Sequence, residues 1–493
     1  MAKAYLAITN VAISIFTIPI CADPAYANPM KYISSRGQSP AVSFEDALLA
    51  GLAPDGGLYM PVEWPQLSAD QIAGFAGKPF TDVASTILQL FVGDSFTPDE
   101  VTALCHRAFS SFTHPAVTPL VQVGDEDWIL ELFHGPTLAF KDVAMQVLGE
   151  MFEIVLKRKR RGLTIVGATS GDTGGAAVEA LKNKAGIEVF ILHPEGRISE
   201  VQRRIMTTTG APNVINIAVE GTFDDCQTIV KQLFGDRDFV EEVSLGGVNS
   251  INWARIVVQS VYYFTAAAAL GAPKRSFSFV VPTGNFGDIF AGFVAAKLGL
   301  PIERLCVATN RNDIVHRVLE TGNYLPADVH ATTSPSMDIQ IASNFERLIF
   351  EMSERNAQSV VQLMENQRQS GGFSLPASVH ERMGALFTSQ MAGEDEVDQS
   401  MRDHLAQCAM LIDPHTAVGR VAGQKLRQQG TLKGPVITLS TAHPAKFPDA
   451  VQDATGQNPA LPEGMGDLFE RKEQIITAPA TPAAVKKIIT SQR

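Results

Sequence analysis

The sequence has few cysteines and little positive charge, and each shortage argues against a class of protein. Its five cysteines stand far apart in 493 residues, without a CxxC pair or a metal-ligand cluster. We therefore expect no metal site, and the spacing fits a reducing compartment. Lys and Arg number 40 against 52 Asp and Glu, a formal net charge of −12. This balance disfavours a nucleic-acid partner, because phosphate backbones are held by clustered cations.

Two phosphate-binding signatures and long apolar runs are also missing. Neither GxGxxG nor GxxxxGK[ST] occurs, which disfavours a Rossmann-type oxidoreductase and a P-loop protein. Beyond residue 29 no apolar run reaches the roughly 20 residues of a membrane helix, so we expect no membrane partner. The basic run at 157–161 follows an apolar helical pattern and precedes Gly162, which predicts a helix C-terminus.

What the sequence does contain predicts an α/β fold with a small, mostly helical N-terminal domain at 30–120. Short amphipathic helices are indicated at 43–49 and 99–109. After Trp128, strand candidates alternate with helical patterns, which is typical of parallel α/β architecture. The predicted strands are 164–166, 189–192, 277–281, 305–308 and 436–439. We assign 121–480 to a catalytic α/β region and 481–493 to a C-terminal tail.

Two glycine-rich loops each follow a predicted strand and precede a helix. The first contains Ser170, Gly171, Asp172 and Thr173, and the second contains Gly284, Asn285, Phe286 and Asp288. Glycine lets the backbone approach a ligand closely, and a helix start offers unpaired N–H groups, so anions bind readily there. If both loops lie at the carboxyl ends of strands in one open sheet, they form a ligand crevice.

Lys141 is the candidate nucleophile. It stands in the first turns of a helix predicted to begin near Thr137, and Phe140 and Val143 flank it. Desolvation lowers a lysine pKa and makes the amine reactive towards a carbonyl, whereas an ordinary helix lysine would extend into solvent. A lysine, a phosphate cradle and a hydroxyl near the end of strand 436–439 together match the needs of pyridoxal phosphate (PLP).

Four segments resemble those of the threonine synthase family in its long bacterial and fungal form. They are ELFHGPTLAFKD at 131–142, ATSGDTG at 168–174, GNFGD at 284–288 and TAHPAKF at 441–447. The similarity extends from Met30 to about Leu468, including the strings at 32–37 and 54–59. It implies a fold type II PLP-dependent enzyme, with two open parallel-sheet lobes and a small helical N-terminal domain.

The resemblance also implies an activity and a set of residue roles. The family is a lyase that converts O-phospho-L-homoserine and water to L-threonine and phosphate, the last step of threonine biosynthesis. By resemblance, Lys141 holds PLP as an imine and, once freed, carries protons at the substrate α and β carbons. The implied PLP ligands are Gly284, Asn285, Phe286 and Asp288 for the phosphate and Thr441 for the pyridine nitrogen. The implied substrate ligands are Ser170, Gly171, Asp172, Thr173 and Lys446.

Several assignments stay open at this point. Lys446, Arg255, Arg197 and Arg203 are all candidates for the substrate phosphate. His134 and His443 could carry protons, but positioning roles fit better because Lys141 already fills that role. Asp142 either orients Lys141 or favours the helix start.

Alternatives to the synthase reading are a related PLP-dependent phospho-lyase or dehydratase acting on a hydroxy or phospho amino acid, and a noncatalytic binding protein of this fold. A binding protein would lack the imine absorbance at roughly 400 nm that PLP chemistry gives.

Residues 1–29 resemble a secretory signal. Lys3 precedes an apolar stretch at 11–20, and Ala25-Tyr26-Ala27 resembles a cleavage site. A second methionine at position 30 offers another explanation, a start codon assigned too early. We favour the early start because the inferred chemistry needs a cytosolic cofactor and a phosphorylated substrate. We accordingly expect a cytoplasmic monomer or homodimer.

Overall fold

The computed structural model describes residues 30–492, so the prediction made for residues 1–29 lies outside the described residues. The strands are β1 (Tyr32–Ser34), β2 (Tyr59–Pro61), β3 (Leu120–Gln122), β4 (Asp127–Glu131), β5 (Leu163–Ala168), β6 (Ile187–Pro194), β7 (Val214–Glu220), β8 (Leu245–Gly246), β9 (Phe277–Pro282), β10 (Ile302–Thr309), β11 (Asn323–Tyr324), β12 (Phe373–Ser374), β13 (Phe387–Met391), β14 (Val436–Ser440) and β15 (Ile476–Pro479).

The helices alternate with these strands along most of the chain. They are α1 (Phe44–Ala50), α2 (Ala69–Ala73), α3 (Phe80–Val92), α4 (Pro98–Phe109), α5 (Lys141–Lys159), α6 (Asp172–Leu181), α7 (Glu200–Thr207), α8 (Phe223–Gly235), α9 (Arg237–Val243), α10 (Trp253–Ala269), α11 (Gly287–Lys297), α12 (Ile314–Thr321), α13 (Phe345–Met352), α14 (Ala357–Ser370), α15 (Ala377–Gly384), α16 (Glu394–Cys408), α17 (Pro414–Gln428), α18 (Pro448–Thr455) and α19 (Pro482–Gln492).

Helices α1 to α4 and the antiparallel pair β1–β2 form the N-terminal region, as the sequence predicts. Each helix start has a local cause. Ser43 accepts a hydrogen bond from the Asp46 amide at the start of α1, and Thr97 and Glu100 form a capping box at α4. The region packs on α10 through aromatic side chains, since Tyr32, Trp64 and Phe91 all contact Trp253.

Two separate sheets build the catalytic region, which confirms the fold class. One has the order β13-β10-β9-β14-β4-β3 and is parallel except for β3, which runs antiparallel to β4. The other is parallel throughout, with the order β15-β7-β6-β5-β8. All five strands predicted from the sequence are present, each somewhat longer than its apolar run.

One expectation about the sheets is wrong. The strand pattern favours both glycine-rich loops at the edge of a single sheet, but the loop after β5 belongs to the five-stranded sheet and the loop after β9 to the six-stranded sheet. The reason is pairing: β5 lies between β6 and β8, whereas β9 lies between β10 and β14. Strand patterns reveal which residues are buried, but not which strands become neighbours.

The basic run at 157–161 ends α5, as predicted. Arg160 takes the left-handed conformation that closes the helix. Arg158 pairs with Glu100 at 2.5 Å and Lys159 with Glu45 at 2.8 Å. The run therefore fastens α5 to the N-terminal region.

The last stretch of the chain is helical and packed. Val485 and Ile489 of α19 are fully buried in a cluster with residues of α8 and the five-stranded sheet. In residues 30–492 no helix has the length and apolar character needed to cross a membrane. The division into domains at 120 and 480 stays a prediction.

Candidate active site

Lys141 is the first residue of α5, four positions later than the helix start predicted near Thr137. The side chain of Asp142 explains the delay. Its carboxylate accepts hydrogen bonds from the Thr137 amide at 2.7 Å and the Thr137 hydroxyl at 2.6 Å. These bonds hold residues 137–140 as a turn, in which Leu138 has a φ of 59°. Asp142 thus fixes the approach to the lysine, and burial raises the pKa of its carboxyl to about 6.

The turn before Lys141 is bonded to the segment that follows β14. The Phe140 amide donates to the Thr441 carbonyl at 2.8 Å, and the His443 amide donates to the Leu138 carbonyl at 3.0 Å. The Lys446 amine adds a bond of 2.7 Å to the Thr137 carbonyl. Two of the motifs noted in the sequence are therefore joined by backbone hydrogen bonds although 300 residues separate them.

The amine of Lys141 is almost out of contact with water. The residue is 8% exposed, and Nζ lies 3.4 Å from Oδ2 of Asp172. Burial lowers the pKa of the Lys141 amine, and the Asp172 charge partly offsets that effect. Loss of solvation disfavours the charged form of such an amine, and the neutral amine is the form that attacks a carbonyl.

Asp172 gathers four donors around one buried carboxylate. Oδ1 lies 2.7 Å from the Lys446 amine and accepts from the Gln202 amide group at 2.9 Å. Oδ2 accepts from the Ser336 hydroxyl at 3.0 Å and from Lys141. Burial by itself would raise the pKa of Asp172, but the charges of Lys446 and Lys141 hold it well below the ordinary value. Asp172 is therefore an anion that balances the two lysines.

In the loop that carries Asp172, the amides of Gly171 and Gly174 donate to the Thr169 hydroxyl at 2.9 Å, which leaves the amides of Asp172 and Thr173 for a ligand. No side chain caps α6, and Gly171 before it has a φ of 138°. A Cβ on Gly171 would lie 2.5 Å from the Gln202 side chain, so this position requires glycine for two reasons. Ser170 and Thr173 stay partly exposed beside the helix start. The start of α6 therefore remains the predicted anion site, with the amides of Asp172 and Thr173 as its donors.

The second glycine-rich loop has the same construction on the other sheet. Phe286 has a φ of 63°, and no side chain caps α11. A Cβ on Gly284 would lie 3.0 Å from the Ser336 carbonyl oxygen. Asn285 is exposed, and its carbonyl accepts from the Asn344 amide at 3.1 Å. The amides that open α11 are consequently a second anion site.

Asp288 differs from the other residues of that loop because its carboxylate binds protein groups. Oδ1 accepts from the hydroxyls of Tyr262 and, at 3.1 Å, Tyr263, while Oδ2 has no hydrogen-bond partner in residues 30–492. Burial raises the pKa of Asp288 to about 7, against the lowering effect of the two tyrosine bonds. A role for Asp288 at the cofactor phosphate therefore rests on its backbone amide at the start of α11.

Thr441 follows β14 and is 4% exposed. Its neighbour Ser440 shares a hydrogen bond of 2.8 Å with the hydroxyl of Thr416, which also bonds Asp413. This buried polar chain fixes the end of β14 next to the Lys141 turn. The bond from Thr441 to the pyridine nitrogen stays a prediction.

Of the four cations considered for a phosphate, two lie in the buried site. Arg203 forms two bonds with Glu473, at 2.8 and 3.0 Å, and Arg197 is exposed. Arg255 is 3% exposed, and Nε and Nη1 have no partner among the described residues. Burial lowers its pKa to about 10, so it keeps its charge at neutral pH and needs an anion.

The two histidines next to the motifs act on the surrounding structure. His134 lies 2.7 Å from Glu131. His443 accepts from the Ala445 amide at 3.1 Å, and burial together with the charge of His134 lowers the pKa of His443 to about 4. These contacts fit the positioning roles expected from the sequence.

Three further residues belong to the site and were missed in the sequence analysis. They are Gln202, which bonds Asp172; Ser336, whose hydroxyl bonds Asp172; and His415, which accepts from the Ser336 amide at 3.3 Å and pairs with Asp413 at 2.7 Å. For His415 a signal existed, since Asp413-Pro414 is a typical helix start. Gln202 and Ser336 carry no local signal.

The residues present fit pyridoxal phosphate. Two uncapped helix starts and the unpartnered guanidinium of Arg255 provide for anions, and a buried amine stands between them. That combination suits an aldehyde that carries a phosphate, because the aldehyde needs an unsolvated amine and the phosphate needs N–H donors.

Comparison with known proteins agrees with this description. Three family models match successive parts of the chain: threonine synthase N terminus at 31–109, pyridoxal-phosphate dependent enzyme at 112–370, and threonine synthase C-terminal at 416–489. The chain is 47% identical to threonine synthase of Pseudomonas aeruginosa, over 94% of this chain and 98% of that protein.

Solved structures give the same result. PLP-bound threonine synthase from Brucella melitensis superimposes with a TM-score of 0.92 at 50% identity, covering 94% of this chain and 99% of that one. Threonine synthase from yeast gives a TM-score of 0.89 at 41% identity, covering 94% of this chain and 98% of that one. The chain belongs to the threonine synthase family of fold type II PLP-dependent enzymes.

Proposed function

We propose that this enzyme converts O-phospho-L-homoserine and water to L-threonine and phosphate, the last step of threonine biosynthesis. The observation that carries the proposal is the buried Lys141 amine beside the Asp172 carboxylate, between two uncapped helix starts. The reaction needs a proton carrier at two neighbouring carbons and binding sites for several anionic groups. The family membership supports the same reaction.

Lys141 has two tasks in this proposal. It would hold PLP covalently, and its free amine would move protons at the α and β carbons of the substrate. Bound PLP supplies the electron sink that stabilises negative charge on those carbons. Burial favours the neutral amine, which accepts a proton, and Asp172 stabilises the ammonium that results.

The two helix starts bind two different anions, the cofactor phosphate and the substrate carboxylate. The amides of Gly284 to Asp288 hold the cofactor phosphate, and the loop from Ser170 to Thr173 takes the substrate carboxylate with its backbone and hydroxyl donors. The hydroxyl of Thr441 forms a hydrogen bond with the pyridine nitrogen. As a hydroxyl, it does not force that nitrogen to be protonated.

Arg255 and Lys446 share the substrate phosphate, with Arg255 as the stronger partner. Lys446 is already paired with Asp172 at 2.7 Å, whereas Arg255 has no acceptor in the described chain. An unpaired buried guanidinium gains more from a phosphate than a neutralised amine does. The release of phosphate from the γ carbon would then begin next to a fixed positive charge.

The test is product analysis with purified holoenzyme and O-phospho-L-homoserine. We expect threonine and phosphate in equal amounts, and Lys141→Ala should lose both the products and the absorbance near roughly 400 nm. Appearance of 2-oxobutyrate in place of threonine would replace the synthase by the phospho-lyase or dehydratase alternative. A cytoplasmic location and a monomeric or homodimeric state are part of the same proposal. Fractionation and light scattering test them.

A further inference from the structure

A second cavity lies at the opposite edge of the six-stranded sheet from Lys141. It has a volume of about 210 Å³. It is lined by Val123, Asp127, Gln407, Arg420, Gly423, Gln424, Arg427, Val436 and Thr438. Asp127 and Val436 are the first residues of the parallel strands β4 and β14, whereas Glu131 and Ser440 end those strands near the reactive lysine. Thr438 is the lining residue nearest that end, two positions before Ser440, so at about 3.3 Å per residue the cavity begins roughly 7 Å from the active-site end of β14.

Arg420 is the distinctive residue of this cavity. It is 8% exposed and lines the cavity from α17, yet within residues 30–492 it makes no hydrogen bond or ion pair. Burial lowers the pKa of its guanidinium, but an arginine keeps its proton in proteins. A buried charge without a partner costs several kcal/mol, so such a group calls for an anion.

Asp127 is the acidic group whose charge acts most on Arg420. Its carboxylate is bonded to Arg427 at 2.9 Å, so two arginines share one negative charge. His404, on the neighbouring helix α16, is 2% exposed, and burial with the charge of Arg420 lowers its pKa to about 4. It is therefore neutral at physiological pH. The cavity keeps a charge of about +1 beside two glutamine amides and the Thr438 hydroxyl.

We infer that this cavity is a binding site for a small oxyanion, a carboxylate or a phosphate, held by the guanidinium of Arg420. Its volume is about seven times the share of one water in the liquid, roughly 30 Å³, which suits an anion of a few to about ten heavy atoms. The planar guanidinium fits two oxygens of one group, and Gln407 and Gln424 supply further donors. The inference does not depend on the reaction proposed above.

Isothermal titration of the holoenzyme tests it with two probes, succinate for the carboxylate class and inorganic phosphate for the phosphate class. Wild type should bind one anion per chain at this site. Arg420→Gln should bind the same anion at least tenfold more weakly. Arg420→Lys keeps the positive charge but lacks the planar guanidinium that can bond two oxygens, and it should bind with intermediate affinity. Arg275→Gln, which removes an exposed arginine that pairs with Glu126, should bind as wild type does.

Binding of phosphate in the active site does not confuse this result, because Arg420→Gln retains it. An unchanged rate of threonine formation in the variant shows that it folds. Superimposable titrations of wild type and Arg420→Gln with both probes would overturn the inference. So would crystals soaked in either probe that show no density at Arg420. The probe that binds identifies the oxyanion class.

Discussion

Lys446 places its amine 2.7 Å from Oδ1 of Asp172, so that one buried carboxylate balances both Lys446 and the reactive Lys141. The pair spans the two lobes, since Asp172 begins α6 after the five-stranded sheet and Lys446 follows β14 of the six-stranded sheet. Each charge makes the other tolerable in the interior. Removal of either partner therefore leaves an uncompensated buried charge.

Asp172→Asn should lower the free energy of unfolding at pH 7 by about 3 to 5 kcal/mol and reduce turnover at least tenfold. The folded-state pKa of Asp172 is depressed. Its stabilising contribution is therefore complete above the ordinary pKa near 3.8 and disappears as the pH falls through the lower folded value. Urea unfolding from pH 3 to 8 measures the difference. Asp467→Asn, at an exposed pair with Arg471, should leave the stability almost unchanged.

Asp288 gives the opposite pH dependence. Its pKa is raised to about 7, so between pH 4 and 7 the folded protein holds a proton that the unfolded chain releases. Stability should then decrease as the pH rises through this window, by up to about 4 kcal/mol from this group. Asp288→Asn removes this part of the decrease because an amide does not titrate, while its oxygen still accepts from the tyrosines; the part due to Asp142, whose pKa is raised to about 6, remains. Urea unfolding of the apoenzyme at pH 5 and 7.5 checks this, with the exposed Asp125→Asn as control. If the free energy of unfolding changed with pH equally in wild type and Asp288→Asn, the prediction would be refuted.

Arg255 should show a conflict between stability and function. Arg255→Met removes an unpaired buried charge and should stabilise the apoenzyme by about 1 to 3 kcal/mol. The same change should raise KM for O-phospho-L-homoserine tenfold or more, since a bond to a charged group contributes about 1.5 to 3 kcal/mol. Steady-state kinetics and thermal unfolding measure the two effects. Arg197→Gln, an exposed cation, serves as control and should alter neither. Weaker PLP binding with unchanged KM would move Arg255 to the cofactor phosphate.

Gly171→Ala should disturb the Asp172 loop. The φ of 138° is unfavourable for alanine, and the new methyl group would meet the Gln202 side chain at 2.5 Å and push it away from Asp172. We expect at least a tenfold loss of kcat/KM. Gly235→Ala is the matched control, because nothing lies within 4 Å of its Cβ at the end of α8. A fully active Gly171→Ala enzyme would show that this loop tolerates the displacement.

Several features of the site follow from local sequence. Phe140 and Val143 around Lys141 predict a buried amine, and the observed exposure of 8% agrees. The glycine-rich loops predict uncapped helix starts, because Gly171 and Phe286 are followed directly by helical patterns. These properties depend on neighbours within a few residues, so a pattern in the chain is enough to reveal them.

Other features depend on residues far apart in the chain. The expectation of a single sheet failed because strand pairing depends on the whole topology and not on the strand's own pattern. The carboxylate of Asp288 accepts a hydrogen bond from Tyr262 of α10, and the Ser336 hydroxyl donates to Asp172, which is 164 positions away in the sequence. Nothing near these residues in the sequence predicts their partners.

The sequence by itself identified the candidate lysine, the two candidate anion-binding loops and the family, because each depends on a short continuous segment whose backbone conformation is set locally. The tertiary structure alone decided which charges face each other: Asp172 faces Lys446, Arg203 faces Glu473, and the Nε and Nη1 atoms of Arg255 have no partner in residues 30–492. The electrostatic energy of a buried charge depends on distance and solvation, and both arise only when remote segments pack together.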